Sequence, residues 1–321
     1  MKSLKNWLIV STATIACAFT APAAAEWPEA PINLVVPWAT GGSTDTLARI
    51  LSDALSKVLD QTVIVENKAG AGGTIGAQVV ARAKPDGYTF LLGVSGDQIN
   101  AEFLHSKLNY SPREDLIPVA LVASESVMMA ANSKLGAKSP AELVKLARER
   151  DLTIATSGHG SNGHLSSMLL TQKAGIEATV VPYKGAAPAV NDTLAGHTHL
   201  VVGTPATLIQ HVQSGSLSPI AVTTEKRIRS LPDVPTFKES GIDFTITTYY
   251  MVMAPKGTPE SITSKLGEAI KQVLKEERLV EQVRSIGAEP EFVDAAQLAK
   301  MLSVERDKVG AVMKSLPPAT P

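Results

Sequence analysis

The feature that most constrains this chain is a repeated order: a short apolar run, a glycine-rich loop, then an amphipathic helix. INLVV at 32–36 is followed by PWATGGS at 37–43. Apolar residues then recur as Leu47, Ile50, Leu51, Ala54, Leu55, Val58 and Leu59, the spacing of one helical face. TVIV at 62–65 leads into Gly70-Ala71-Gly72-Gly73 and a second helical segment, and TFLL at 89–92 is a third run. Strands separated by a helix imply βαβ units and a largely parallel sheet.

A second series begins near residue 125. LTIA at 152–155, ATVV at 178–181, LVV at 200–202 and IAV at 220–222 are its strands, with helical segments near 163–174, 186–195 and 206–213 between them. Two such series are too long for one compact sheet, so the expected fold is α/β with two lobes. The expected division puts 26–124 and 249–321 in lobe I and 125–248 in lobe II. After YYMVM at 249–253, Ile262, Leu266, Ile270, Val273 and Leu274 predict a long helix, with more helix to about 314.

Residues 1–25 have the order of a secretory signal. Lys2 and Lys5 start it, an apolar run covers 8–20, and Ala23-Ala24-Ala25 predicts cleavage before Glu26 in an exported, periplasmic protein. Cys17 lies inside that segment, and with Thr14 where a lipoprotein signal would carry Leu, lipidation is not expected. The single cysteine also excludes a disulfide framework and a cysteine-rich zinc site. A net charge of -1 excludes a generally basic nucleic-acid binder, and 4% aromatic residues is too few for a base-stacking platform.

The helix-opening loops carry the chemistry. In a parallel sheet they lie at the carboxyl ends of the strands, where each following helix points unpaired N–H groups and the positive end of its dipole into the crevice. TGGST at 40–44, GAGGT at 70–74 and SGHGSN at 157–162 fit this pattern, with glycines for close approach and hydroxyls as further donors. Together they suit an oxyanion, most simply a carboxylate. Ser43 is expected as the N-cap of the first helix and Thr44 as its first residue.

Competing motifs are weaker. Gly158, Gly160 and Gly163 satisfy a dinucleotide fingerprint, but the next strand ends in Pro182-Tyr183-Lys184 without the acid a ribose requires. His197 and His199, and His159 and His164, form pairs without a third ligand pattern, so no metal and no cofactor are expected. No G-x-S-x-G elbow is present, and Ser161, His164 and Asp192 do not form a recognised nucleophile arrangement, so an enzyme is not expected.

These segments also carry a resemblance. WPEAPINLVVPWATGGSTDTLAR (27–49), VIVENKAGAGGTIGAQVVARAKPDGYTFLLG (63–93), TSGHGSNGHL (156–165), VPYKGAAPAVNDTLAGH (181–197) and APKGTP (254–259), in that order, resemble the substrate-binding proteins of tripartite tricarboxylate transporters, the Bug-type periplasmic receptors. The resemblance implies a two-lobed Venus-flytrap fold whose chain crosses between lobes near 125 and 248. It implies a small mono- or dicarboxylate as ligand, membrane transporter subunits as partners, and a monomer. Carried over by position, the ligand-binding residues are Trp38, Thr40, Gly42, Ser43 and Thr44 from the first loop. From the second lobe come Ser157, Gly158, Ser161, Asn162, His164, Tyr183, Lys184, Gly203 and Thr204. An enzyme acting on a similar acid, or a sensor presenting the ligand to a partner, are the alternatives.

Overall fold

The computed structural model describes residues 26–105 and 107–315, so the signal segment, Cys17 and the last six residues lie outside the described residues. Three strand–helix units open the chain. β1 (Ile32–Val36) leads to α1 (Ser43–Val58), and β2 (Val63–Asn67) leads through a 3-10 turn, Ala71–Gly73, to α2 (Thr74–Ala81). β3 (Thr89–Val94) leads through a π-helical turn, Gly96–Asn100, to α3 (Ala101–Leu104). β4 (Leu116–Ser126) follows, and after Val127 alone the chain enters β5 (Met128–Asn132) of a second sheet.

That sheet continues through α4 (Pro140–Glu149), β6 (Leu152–Thr156), α5 (Asn162–Ala174), β7 (Ala178–Pro182), α6 (Ala186–Ala195), β8 (Leu200–Gly203), α7 (Pro205–Gln213) and β9 (Leu217–Val222). β10 (Thr247–Pro255) then returns to the first sheet, followed by α8 (Glu260–Val273), α9 (Glu277–Ser285), β11 (Ala288–Asp294) and α10 (Ala295–Ser315). The sheet orders are β11-β4-β10-β3-β1-β2 and β7-β6-β8-β5-β9. The molecule is thus a two-lobed α/β fold.

Side chains alternate across each sheet, so both faces carry core. In the first lobe Leu34 and Val36 pack with Leu47, Leu51 and Ile270, while Val35 and Leu91 face Ala77, Val80 and Leu298. In the second, Met129 and Ala131 pack with Leu165 and Phe237, and Met128 and Ala130 with Val190 and Leu208. The far end of α10 reaches the second core through Val309, Val312 and Met313.

The sheets are mixed rather than largely parallel. β1 pairs β2 and β3 in parallel, as β6 does with β7 and β8, but β10 runs antiparallel to β3 and β4, and β5 to β8 and β9. A strand that enters a lobe from the cleft must oppose the strands that end there. β10 and β5 are those strands, and at the crossings Thr247 lies beside Ser126. The expected helix from 262 to 314 is interrupted by β11, which pairs antiparallel with β4 at the sheet edge.

Candidate functional site

A cavity of about 90 Å³ lies between the lobes at the carboxyl ends of β1, β6 and β8. Of the expected residues, Trp38, Thr40, Gly42, Ser43, Thr44, Ser157, Ser161, Asn162, Gly203 and Thr204 line it. No lining residue is charged.

The α1 end of the cavity is backbone. Gly42 is the N-cap, in an extended conformation and without a side-chain cap, and the helix begins at Ser43. The expectation of Ser43 as the cap is therefore corrected by one position. The Ser43 hydroxyl does not fold back on the helix; it lies 2.8 Å from the Tyr250 hydroxyl and 3.2 Å from Thr204 Oγ1. The first N–H groups of α1 consequently have no partner within the helix. Asp45, in the first turn, accepts from the Gly41 N–H at 3.0 Å and from Arg49 at 2.9 Å. Burial works against its charge, but Arg49, the Gly41 N–H and Asn67 outweigh it and hold the carboxyl below its ordinary value.

Trp38 is fixed at both ends. Its indole N–H donates to Asp97 Oδ2 at 3.2 Å, and its carbonyl accepts from Asn67 Nδ2 at 3.0 Å. Asp97 is fully buried and also accepts from the Val94 N–H and Gln98 Nε2. Burial, opposed by these donors, pushes its carboxyl up to about 7.

The second lobe supplies the opposite wall. Ser161 caps α5 by accepting from the His164 N–H at 3.1 Å, and Asn162 bonds across to the first lobe, donating to Ser95 Oγ and Thr248 Oγ1 at 2.9 Å each. α6 begins after Gly185, again with no side-chain cap, and Gly185, Ala186 and Ala187 line the cavity. Two uncapped helix N-termini from opposite lobes thus share one small cavity.

Four expected residues stand elsewhere. Gly158 packs against Gly72. His164 Nδ1 accepts from the Gly160 N–H and its ring sits 4.7 Å from that of His159, which is 5.2 Å from His105. Tyr183 donates to Asp192 at 2.6 Å, and Lys184 is exposed. The GAGGT loop also misses the cavity: a Cβ on Gly72 would lie 2.0 Å from the His159 carbonyl oxygen, so this loop meets the second lobe directly. Lining residues outside the expected set are Ala39, Val94, Val127, Gly163, Thr207, Thr248 and Tyr250, and the Gly185-Ala186-Ala187 helix start. The last of these was signalled by a glycine just before a helical pattern.

Among the described residues no cluster of His, Cys, Asp and Glu is arranged to hold a metal ion, and no helix is long and apolar enough to cross a membrane.

Comparisons with known proteins agree with this geometry. The structure of the periplasmic binding protein BugD is 34% identical and superposes with a TM-score of 0.85, covering 90% of this chain and 98% of that one. Rpa4515 of R. palustris, solved with adipate, is 33% identical with a TM-score of 0.87 over 91% of this chain and all of the other. MatC of Rhodopseudomonas palustris, solved with bound malate, is 30% identical with a TM-score of 0.84, covering 89% and 100%. The model of the tripartite tricarboxylate transporter family receptor, TctC, matches residues 47–317. With a two-lobed fold, a charge-free cavity between the lobes and that match over most of its length, this chain belongs to the TctC family of tripartite tricarboxylate transporter receptors, the Bug-type solute-binding proteins.

Proposed function

We propose that this chain is a periplasmic receptor that closes over a small carboxylate with two anionic ends and delivers it to the membrane subunits of a tripartite tricarboxylate-type transporter. One carboxylate sits at the N-terminus of α1 and the other at that of α6. Lobe I is proposed as 26–124 with 249–321 and lobe II as 125–248, save that Glu125, Ser126, Thr247 and Thr248, on β4 and β10, stand with the first sheet. The observation that carries this reading is the pair of helix starts at Gly42 and Gly185, which no side chain caps. Each presents free N–H groups and a positive dipole end to a cavity without cationic side chains. A space of about 90 Å³ open to water-sized groups is room for a small organic acid. The adipate and malate held by two similar structures are of that class. Export is supported by the order of residues 1–25 and by the description of BugD as periplasmic. The direct ligand contacts come from Trp38, Thr40, Gly42, Ser43, Thr44, Ser157, Ser161, Asn162, Gly203 and Thr204, all of which line the cavity.

Mass spectrometry of the ligand released by denaturing the purified protein tests this directly. Thermal-shift measurements with straight-chain dicarboxylates of four to six carbons should find a stabiliser; at a hundred times Kd the gain is about 2.7 kcal/mol. Their dimethyl esters should give none. Equal stabilisation by acid and ester would overturn the reading, and recovery of the added acid chemically altered would make the protein an enzyme.

A further inference from the structure

Four helix N-termini reach the cavity, and they are not equivalent. α1 and α6 start uncapped, and α5 is capped by its own Ser161. α7 is capped from the other lobe: its Ala206 N–H donates to Glu125 Oε1 at 3.3 Å. Glu125 stands near the end of β4, only 2% exposed, and its other oxygen accepts from the Tyr250 hydroxyl. Ser43 Oγ lies 2.8 Å from that hydroxyl and 3.2 Å from Thr204 Oγ1. Ser43, Thr204 and Tyr250 face the cavity, and Glu125 lies behind them.

We propose that Glu125 is a specificity determinant: a resident carboxyl that takes the α7 end of the cavity, limits the ligand to two anionic groups and rejects a third. This rests on the reading of α1 and α6 as the two anion holders. The rejection has two physical parts. An ionised Glu125 repels a further carboxylate at short range through a low-dielectric wall. It also accepts hydrogen bonds only, so the hydroxyls around it turn their hydrogens toward it and offer lone pairs to the cavity. A ligand hydroxyl or methylene is tolerated there, and an anion is not. Burial, against the donors around it, pushes the Glu125 carboxyl up to about 7, so both parts operate fully only above that pH, where the carboxyl is ionised. Glutamine in its place keeps the acceptor for the Ala206 N–H and turns its amide N–H toward the Tyr250 hydroxyl, whose own hydrogen can then go to Ser43. With Tyr250 donating to Ser43, the Ser43 or Thr204 hydroxyl hydrogen is free to point into the cavity.

The test compares three probes on one skeleton: pentanedioate, 3-carboxypentanedioate and 3-carbamoylpentanedioate. The last two have nearly the same size and differ by one charge. Affinities are measured by calorimetry at pH 8 for the wild type and for Glu125→Gln, with melting temperatures as the check on folding. The wild type should bind the amide at least tenfold more tightly than the triacid. In Glu125→Gln the triacid should gain at least tenfold relative to pentanedioate, while the amide does not. If amide and triacid bind the wild type equally, the proposal is overturned without recourse to the variant. A triacid that gains nothing in the variant, or binds neither protein, also overturns it. If no straight-chain dicarboxylate of four to six carbons binds the wild type, the two-anion reading falls and takes this proposal with it. Binding of pentanedioate with an unchanged triacid penalty sinks the proposal alone.

Discussion

The side chains of Asn100 and Asn162 are joined by a 2.7 Å hydrogen bond that runs from one lobe to the other. Asn100 Nδ2 also donates to the Gly160 carbonyl at 3.3 Å. On the proposed closure these bonds would form only in the shut state, and Asn100 does not line the cavity. Asn100→Ala should leave two acceptors unpaired in the closed form, weakening it by about 1–3 kcal/mol, or roughly 5- to 150-fold in ligand affinity. Calorimetry decides; an unchanged affinity would separate this contact from the bound state.

Gly72→Ala should hold the cleft ajar. Its Cβ would lie 2.0 Å from the His159 carbonyl oxygen, backbone against backbone across the lobes. Gly41→Ala is the control: φ is +84 there against +65 at Gly72, but nothing lies within 4 Å. Both variants pay about 1–2 kcal/mol for the left-handed conformation. Only Gly72→Ala should lose ligand affinity by tenfold or more and keep an open radius in small-angle scattering with ligand present.

How much of this was legible in the sequence depends on what each element buries. β1, β3 and β6 are apolar runs before glycine loops, and alternation with helices makes them readable. β11, AEPEFVD, is an edge strand with exposed acids, and periodicity alone placed it inside a helix. β5, MMAAN, is wholly buried but has no β-branched residue to mark it. In the site, the first loop and Ser161-Asn162 were foreseen because glycine and hydroxyl residues open helices there. Thr248 and Tyr250 were missed because they lie on a strand entering the lobe, where a loop-based argument does not look. Tyr183 and Lys184 were expected just before the residues that line the cavity, Gly185 and the two after it, while Tyr183 turns to Asp192.

Asp97 should make stability fall as pH rises. Its folded carboxyl titrates near 7, against about 4 when unfolded, so the folded chain holds the extra proton between those values. The group's contribution is complete below about pH 4 and lost as pH rises through 7. Asp97→Asn should flatten this decline and be the more stable protein at pH 8, because the Gln98 Oε1, now without a partner, can accept from the new amide once Gln98 flips. Parallel melting curves for the two proteins from pH 4 to 8 would refute it.

Two histidines of the cluster, His164 and His105, act with the opposite sign. Burial, with the neighbouring imidazoles of His159 and His105, lowers His164 to about 4, and burial with His159 lowers His105. The contribution of His164 is therefore complete above about pH 6.5 and lost as pH falls toward 4, and that of His105 runs in the same direction. His164→Gln, which can still accept from the Gly160 N–H, should remove part of the acid-side fall in melting temperature. An acid limb identical to that of the wild type would exclude this cluster as its cause.

The absence of lysine and arginine from the cavity wall has a further consequence. Dissolved counter-ions weaken attraction between exposed charges over a Debye length of about 8 Å at 0.15 M and 3 Å at 1 M. On the proposed reading the starts of α1 and α6 would instead meet an anion with peptide N–H groups lining the cavity, with no charged side chain among them. Ligand affinity should then fall less steeply with salt than on a wall of exposed lysines, because buried groups are screened much less.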